Sequence, residues 1–184
     1  MDSLGYSGEC TAIVWKKTIK VSEVNQLIER RAMSLKCGGE TFLNIYAPSG
    51  SANRRERWEM FNELAVHLLF MRGRLPAMLG DWNCVLTELD TTNNFQAKYG
   101  KVLDRIVKTL QYKDCFRLLH PRTREFTFHR GQHLAMSRLD RVYFPPHLIN
   151  KLLSTRHKPG LSDHCQVQSP AQEEFLEAEH FPLK

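Results

Sequence analysis

A change of hydrophobic period between residues 51 and 80 narrows the possible folds more than any other feature of the chain. From Ser51 to Met71, the residues Trp58, Phe61, Leu64, Ala65, Leu68 and Leu69 recur at intervals of three and four, the spacing of one face of an amphipathic helix. Arg72-Gly73-Arg74 interrupts that pattern, and LPAMLG follows at 75–80 as a short, almost wholly apolar run. A run of this length without alternation fits a strand covered on both faces. A helix with an apolar face leading directly into such a strand calls for helices packed in layers on a sheet.

The flanking segments extend this reading. CTAIVWKK is short and β-rich. The run from Gln26 to Lys36, then Cys37-Gly38-Gly39-Glu40 and TFLNIYAP, reads as a hairpin closed by a Gly-Gly turn. Pro48 ends its second strand, having no N–H to donate. In KVLDRIVKTLQ, Val102, Ile106 and Leu110 stand at helical spacing and predict a second helix. EFTFHR and SRLDRVYF read as strands, followed by a Pro-Pro stop, a short helical turn and the strand-like CQV. The expectation is a single α/β (α+β) domain over residues 1–168, with no internal repeat or linker, and an acidic tail over 169–184.

That tail carries Glu173, Glu174, Glu177 and Glu179 against Lys184 alone, leaving 25 basic and 16 acidic residues, a net +9, on residues 1–168. Such an excess favours a polyanionic partner, since Lys and Arg neutralise phosphates and release counterions; solubility alone would also account for it. No apolar run approaches the roughly 20 residues of a membrane span, and the N-terminus lacks a basic-then-apolar leader pattern. The five cysteines form no C-x-x-C pair and there is no N-x-[ST] acceptor. Reduced thiols and an intracellular location, nucleus or cytoplasm, are therefore expected. Oligomeric state is not legible.

Four apolar or β-rich segments carry polar residues that packing alone would not select: Asn44 and Tyr46 in NIYAP, Asp81 and Asn83 in GDWN, Arg138 and Asp140 in SRLD, and Asp163 and His164 in SDH. Strand ends converge on one rim of a sheet, so these side chains could share a cleft. Each also has a structural explanation. Asp81 and Asp163 suit turns and caps, His164 could be an ordinary structural histidine, Tyr46 a half-buried strand aromatic, and Arg138 with Asp140 a pair on one strand face. Cys115, His120, His129 and His133 lack zinc-finger spacing. Gly38-Gly39 lacks the lysine of a phosphate loop.

Taken in order, NIYAP, GDWN, SRLD and SDH resemble the motif series of the endonuclease/exonuclease/phosphatase superfamily. GDWNCVLTELD, DCFRLLHPRTREFTF and SRLDRVYFP are similar to the endonuclease domain of non-LTR (LINE-type) retrotransposon polyproteins. The resemblance runs from about Gly8 to Val167. It implies a DNase I-like two-sheet β-sandwich flanked by helices, and Mg²⁺-dependent hydrolysis of DNA phosphodiesters. Asp81 would then be the water-orienting base, Asn83 its positioning neighbour and Tyr46 a contact to the scissile phosphate. His164 would stabilise that phosphate, with Asp140 orienting its ring. Asp163 would belong to the metal side, and Ser137 and Arg138 would be DNA-backbone contacts.

The same resemblance implies an Asn and the Glu of a Q-E pair on opening strands, and these are not matched here. Neither Glu9 nor Glu23 stands in that context. The expectation is a partial sandwich lacking its first strands, with a weakened metal site and impaired activity. A phosphatase of the same superfamily and a non-enzymatic remnant that binds nucleic acid or protein are the rival readings.

Overall fold

The computed structural model describes residues 3–7, 10–71, 73–129, 135–160 and 162–170. Most of the acidic tail, Glu9, Arg72 and His133 lie outside them. The first half runs β1 (Ser3–Ser7), β2 (Ala12–Lys16), β3 (Val21–Ile28), β4 (Ala32–Cys37), β5 (Glu40–Tyr46), α1 (Arg54–Phe70) and β6 (Ala77–Asp81). The second runs α2 (Lys101–Thr109), β7 (Lys113–Asp114), α3 (Cys115–Leu119), β8 (Phe128–His129), β9 (Met136–Ser137), β10 (Asp140–Phe144), β11 (Arg156–Lys158) and β12 (Gln166–Gln168), with 3-10 turns at Glu88–Asp90, Ala97–Tyr99 and Pro146–Lys151.

A six-stranded mixed sheet in the order β3-β4-β5-β6-β10-β7 forms the centre. The β4–β5 hairpin closes through Gly38 and Gly39, at φ +54° and +74°. A two-residue turn with both central residues at positive φ matches the twist of its strands, and glycine enters that region without strain. The stretch expected as one strand from Gln26 to Lys36 is two, because Arg30 at φ +61° reverses the chain and Arg31 N–H bonds the Ile28 carbonyl at 3.0 Å. β5 and β6 are parallel, joined over one face by α1, whereas β10 is antiparallel to β6. Parallel neighbours require such a crossover.

Helix α1 buries Met60, Phe61, Leu64 and Leu68 against Leu43, Ile45 and Met78 of the sheet, and α2 adds Leu103 and Ile106 to this core. The expected stripe is rotated: Trp58 and Leu69 are 58% and 41% exposed, while Arg57 is buried. Arg57 takes the inward position because its guanidinium donates to the carbonyls of Pro48 and Gly50. Trp82 is fully buried, edge-on to Tyr143 with ring centroids 5.1 Å apart, and its Nε1 donates to the Arg141 carbonyl at 3.2 Å.

On the other face Asn44 Nδ2 donates to the Ala12 carbonyl at 2.9 Å, docking β2 across the sheet. Ala77, Cys115, Phe144 and Leu148 form a second, smaller apolar cluster. Among the described residues the strands outside the central sheet pair only in twos, β1 with β2, β8 with β9 and β11 with β12. The mixed sheet with helices agrees with the expected class, whereas the expected second sheet is three short ladders. SRLDRVYF is likewise interrupted between β9 and β10, because Arg138 turns into the interior.

Candidate active site

Register lines up the site. Parallel pairing places Tyr46 beside Asp81, and antiparallel pairing places Asp140 opposite Asp81. Three side chains distant in sequence thus stand in one row across β5, β6 and β10. Gly80 allows this close approach. Its φ is +135°, and a Cβ built there would lie 1.9 Å from the Ile45 carbonyl oxygen, a space no side chain could enter.

Asp81 is 3% exposed. Both its oxygens accept from Asn83, Oδ1 from the backbone N–H at 2.9 Å and Oδ2 from Nδ2 at 2.8 Å. Asn83 Nδ2 also donates to the Ala47 carbonyl at 2.8 Å, and the residue sits at φ +45°, a conformation asparagine tolerates better than most. Asp140 Oδ2 lies 2.8 Å from His164 Nδ1, while Oδ1 is buried with no hydrogen-bond partner. The His164 ring packs on Phe128, centroids 4.9 Å apart. With Nδ1 committed to Asp140, Nε2 remains for other contacts.

Burial and the like charge of Asp140 push Asp81 up to about 7, against the opposing pull of His164, the Asn83 N–H and Arg141. Burial disfavours the charged His164 ring. The Asp140 hydrogen bond and charge, helped by Asp81 and Asp163, outweigh that and lift it to about 8. The pair therefore offers a proton acceptor poised near neutrality beside a cationic donor, the combination that proton transfer at pH 7 requires. One donor atom from each of Asp81, Asp140 and His164 falls within 4.8 Å of the others, a group able to hold a metal ion.

The site opens into a cleft of about 590 Å³ whose lining includes Tyr46, Asp81, Asn83, Ser137, Asp163 and His164. Of the eight site residues expected from sequence, these six line one cavity, and Asp140 stands behind His164. Asp163 is exposed at the rim and its carboxylate is not part of the metal-competent group. Among the described lining residues no glutamate occurs. The zinc alternative is not supported: the group just described is the one metal-competent cluster among the described residues, and Cys115 is buried.

Arg138 is a correction. It is 1% exposed, with Nε 2.8 Å from Asp90 Oδ1 and Nη2 2.7 Å from Asp114 Oδ2. A guanidinium so enclosed has no face left for a DNA backbone. Arg117 Nη2 reaches the same Asp90 oxygen at 2.6 Å, and Arg141 Nη2 donates to the carbonyls of Cys84 and Arg138. Burial alone would raise the Asp90 carboxyl, but Arg141 and Arg138 hold it well below the usual range.

This network joins the segment after Asp81 to the segment before Asp140, and sequence reading missed it. Acidic residues in a polar loop, such as Asp90, carry no signal of burial. Thr127 was missed for the opposite reason: a threonine in FTF looks like an ordinary strand residue. Yet its Oγ1 accepts the backbone N–H groups of both Leu139 and Asp140 at 3.0 Å.

A model of the Endonuclease/Exonuclease/phosphatase family matches residues 3–164. Among solved structures, a variant of the 3′ phosphatase NExo from Neisseria bound to a product DNA hairpin superimposes with a TM-score of 0.78 at 18% identity, covering 94% of this chain and 80% of that one. An AP endonuclease from Archaeoglobus fulgidus gives 0.76 at 18% identity, covering 89% and 77%. The 3′-5′ exonuclease NExo from Neisseria meningitidis gives 0.71 at 18% identity, covering 85% and 72%.

Proposed function

The chain belongs to the endonuclease/exonuclease/phosphatase family, and from that membership we propose that it hydrolyses phosphodiester bonds of DNA in the Asp81–Asp140–His164 cleft. The observation that carries the reading is the row of Tyr46, Asp81 and Asp140 across three adjacent strands, with His164 hydrogen-bonded to its end.

The donor set fits a divalent cation. Asp140 Oδ1 is buried without a partner beside a second carboxylate, and Mg²⁺ takes one or two carboxylates while keeping several waters. Asp140 would hold it through Oδ1, with Asp163 at the outer rim, which leaves Asp81 free as the proton acceptor. When bound, it supplies positive charge to the phosphoryl oxygens and lowers the pKa of coordinated water. Asp81 accepts the proton of the attacking water, and Asn83 keeps that carboxylate aimed through its two hydrogen bonds. His164, charged through Asp140, donates from Nε2 to the oxygen on which negative charge grows. Tyr46 and Ser137 contact the phosphate backbone from the cleft walls.

The finer reading is an endonuclease of the retroelement type, acting inside the cell. It is supported by GDWNCVLTELD, DCFRLLHPRTREFTF and SRLDRVYFP, whose Asp90, Asp114 and Arg138 meet in one buried ion network. A second reading, a nucleic-acid-binding relative without catalysis, is favoured by the lack of a glutamate among the described cleft residues.

Supercoiled plasmid with Mg²⁺ separates them. Nicking by the wild type should vanish in EDTA and fall about 10²–10⁴-fold in Asp81→Asn and His164→Ala. Equal nicking by the wild type and Asp81→Asn would sink the assignment of the base. Salt-dependent DNA binding with no metal-dependent nicking would establish the second reading.

A further inference from the structure

The cleft continues past Asp81 and His164 to a wall formed by Gly50, Arg54, Asn94, Gln96 and Tyr99. Arg57, buried beneath it, props this wall by donating to the carbonyls of Pro48 and Gly50. The charge of Arg57 is coupled both to Arg54 and to Asp81, so the wall and the reacting end lie within electrostatic reach of one guanidinium.

The Arg54 guanidinium carbon sits 3.9 Å from the centroid of the Tyr99 ring, and Lys98 Nζ lies 5.1 Å from the same centroid. Both cations lie over this one ring, and among the described residues neither forms an ion pair. Their neighbours differ: Arg55 pairs with Glu59 at 2.8 Å and Arg31 with Glu56 at 2.6 Å. An exposed cation normally stays in water. Here stacking on Tyr99 fixes a guanidinium at the cleft wall with its fork of N–H donors uncommitted, the arrangement arginine uses for phosphate. Two like charges gathered at one ring favour an anion nearby. Exposed amides of Asn94 and Gln96 beside them offer both donors and acceptors.

We propose that Arg54 and Lys98, seated on Tyr99, bind a second backbone phosphate of a polynucleotide whose scissile phosphodiester lies at Asp81 and His164. This deepens the nuclease reading above and rests on it. It makes the substrate a nucleic-acid strand that runs along the cleft, not an isolated phosphate ester.

Binding can be read without turnover. A fluorescein-labelled duplex oligonucleotide would be titrated with the full chain in EDTA at 50 to 200 mM salt, using the wild type, Arg54→Met, Lys98→Met and the double variant, each first shown to melt as the wild type does. Every phosphate contact removed should lessen the slope of log affinity against log salt by about 0.9. Each single variant should therefore lose about 3-fold less affinity over that range than the wild type does, and the double variant about 10-fold less. A double variant with the wild-type slope and affinity overturns the proposal, as does a wild type that does not bind. Plasmid nicking in Mg²⁺ tests the parent reading separately: binding that depends on Arg54 without nicking refutes hydrolysis and leaves this subsite standing.

Discussion

At the scale of single residues, the site consists of two facing carboxylates and the imidazole that balances them. Asp81 and Asp140 are register partners, and like charges at that spacing cannot both ionise freely in a buried setting. His164 resolves the conflict by giving Asp140 a charged partner at 2.8 Å, which leaves Asp81 to take the upward shift. The arrangement makes a signed prediction. Asp140→Asn removes the hydrogen-bonded charge that lifts the ring, leaving burial opposed only by Asp81 and Asp163, so the His164 pKa should fall from about 8. An NMR titration of the His164 ring protons in metal-free buffer reads this directly, and a ring still titrating near 8 would refute the pairing as its cause. Tyr46, Asp81, Asn83, Asp140 and His164, singled out in sequence by their joint order after apolar or β-rich segments, come together at one strand mouth. Arg138 was misjudged, because a sequence shows that an arginine stands beside Asp140 but not that its carboxylate partners, Asp90 and Asp114, lie beneath it.

At the scale of elements, the strand mouth depends on two devices that hold backbone and not on the reacting groups. The first is Gly80, where β6 passes so close to the Ile45 carbonyl that a methyl group has no room. Gly80→Ala must part β5 from β6 at the residues beside Tyr46 and Asp81, and it also strains a positive φ. The expected cost is about 2 kcal/mol or more, seen as a lower urea midpoint at an unchanged slope. Nicking should fall further than that loss explains, because the row across the strands is displaced; an unaltered midpoint would show that the strands can part freely. The second device is the Asp90–Arg138–Asp114 network. Arg138→Met strips Asp114 of its guanidinium at 2.7 Å while Arg117 still reaches Asp90 at 2.6 Å, so the expected cost is about 3 kcal/mol, read as a lower urea midpoint. The strands and helices themselves were largely readable. The two helices and β6 follow the apolar period, whereas β7, α3 and β11 are too short for any period to show. The rotation of α1 that buries Arg57 and exposes Trp58 arises from carbonyls of the preceding loop, which no helical pattern encodes.

At the scale of the whole molecule, the end of the sheet opposite the cleft is tied by a different charge cluster. Glu40, at the start of β5, has a side chain only 4% exposed, and it meets Arg74 before β6 at 2.8 Å, His147 at 3.2 Å and Lys151 at 3.3 Å beyond β10. Three segments that bracket the central strands therefore converge on one carboxylate. Burial alone would raise its pKa, but the hydrogen bonds from Arg74, His147 and Lys151 and the Arg74 charge prevail and hold it down to about 2. A carboxyl depressed in the folded chain releases its proton more readily there than in the unfolded chain. Between about pH 2 and the ordinary 4.5 the unfolded state binds more protons, so stability rises with pH through that window and is lost as pH falls through it. Arg74 is exposed and Lys151 half-buried, and screening by water limits the contribution to about 1 kcal/mol. Urea midpoints measured from pH 2 to 6 should therefore climb less steeply for Glu40→Gln than for the wild type, with the two curves converging at the acid end. Curves that stay parallel across the window would mean that Glu40 does not couple the far end of the sheet to protons.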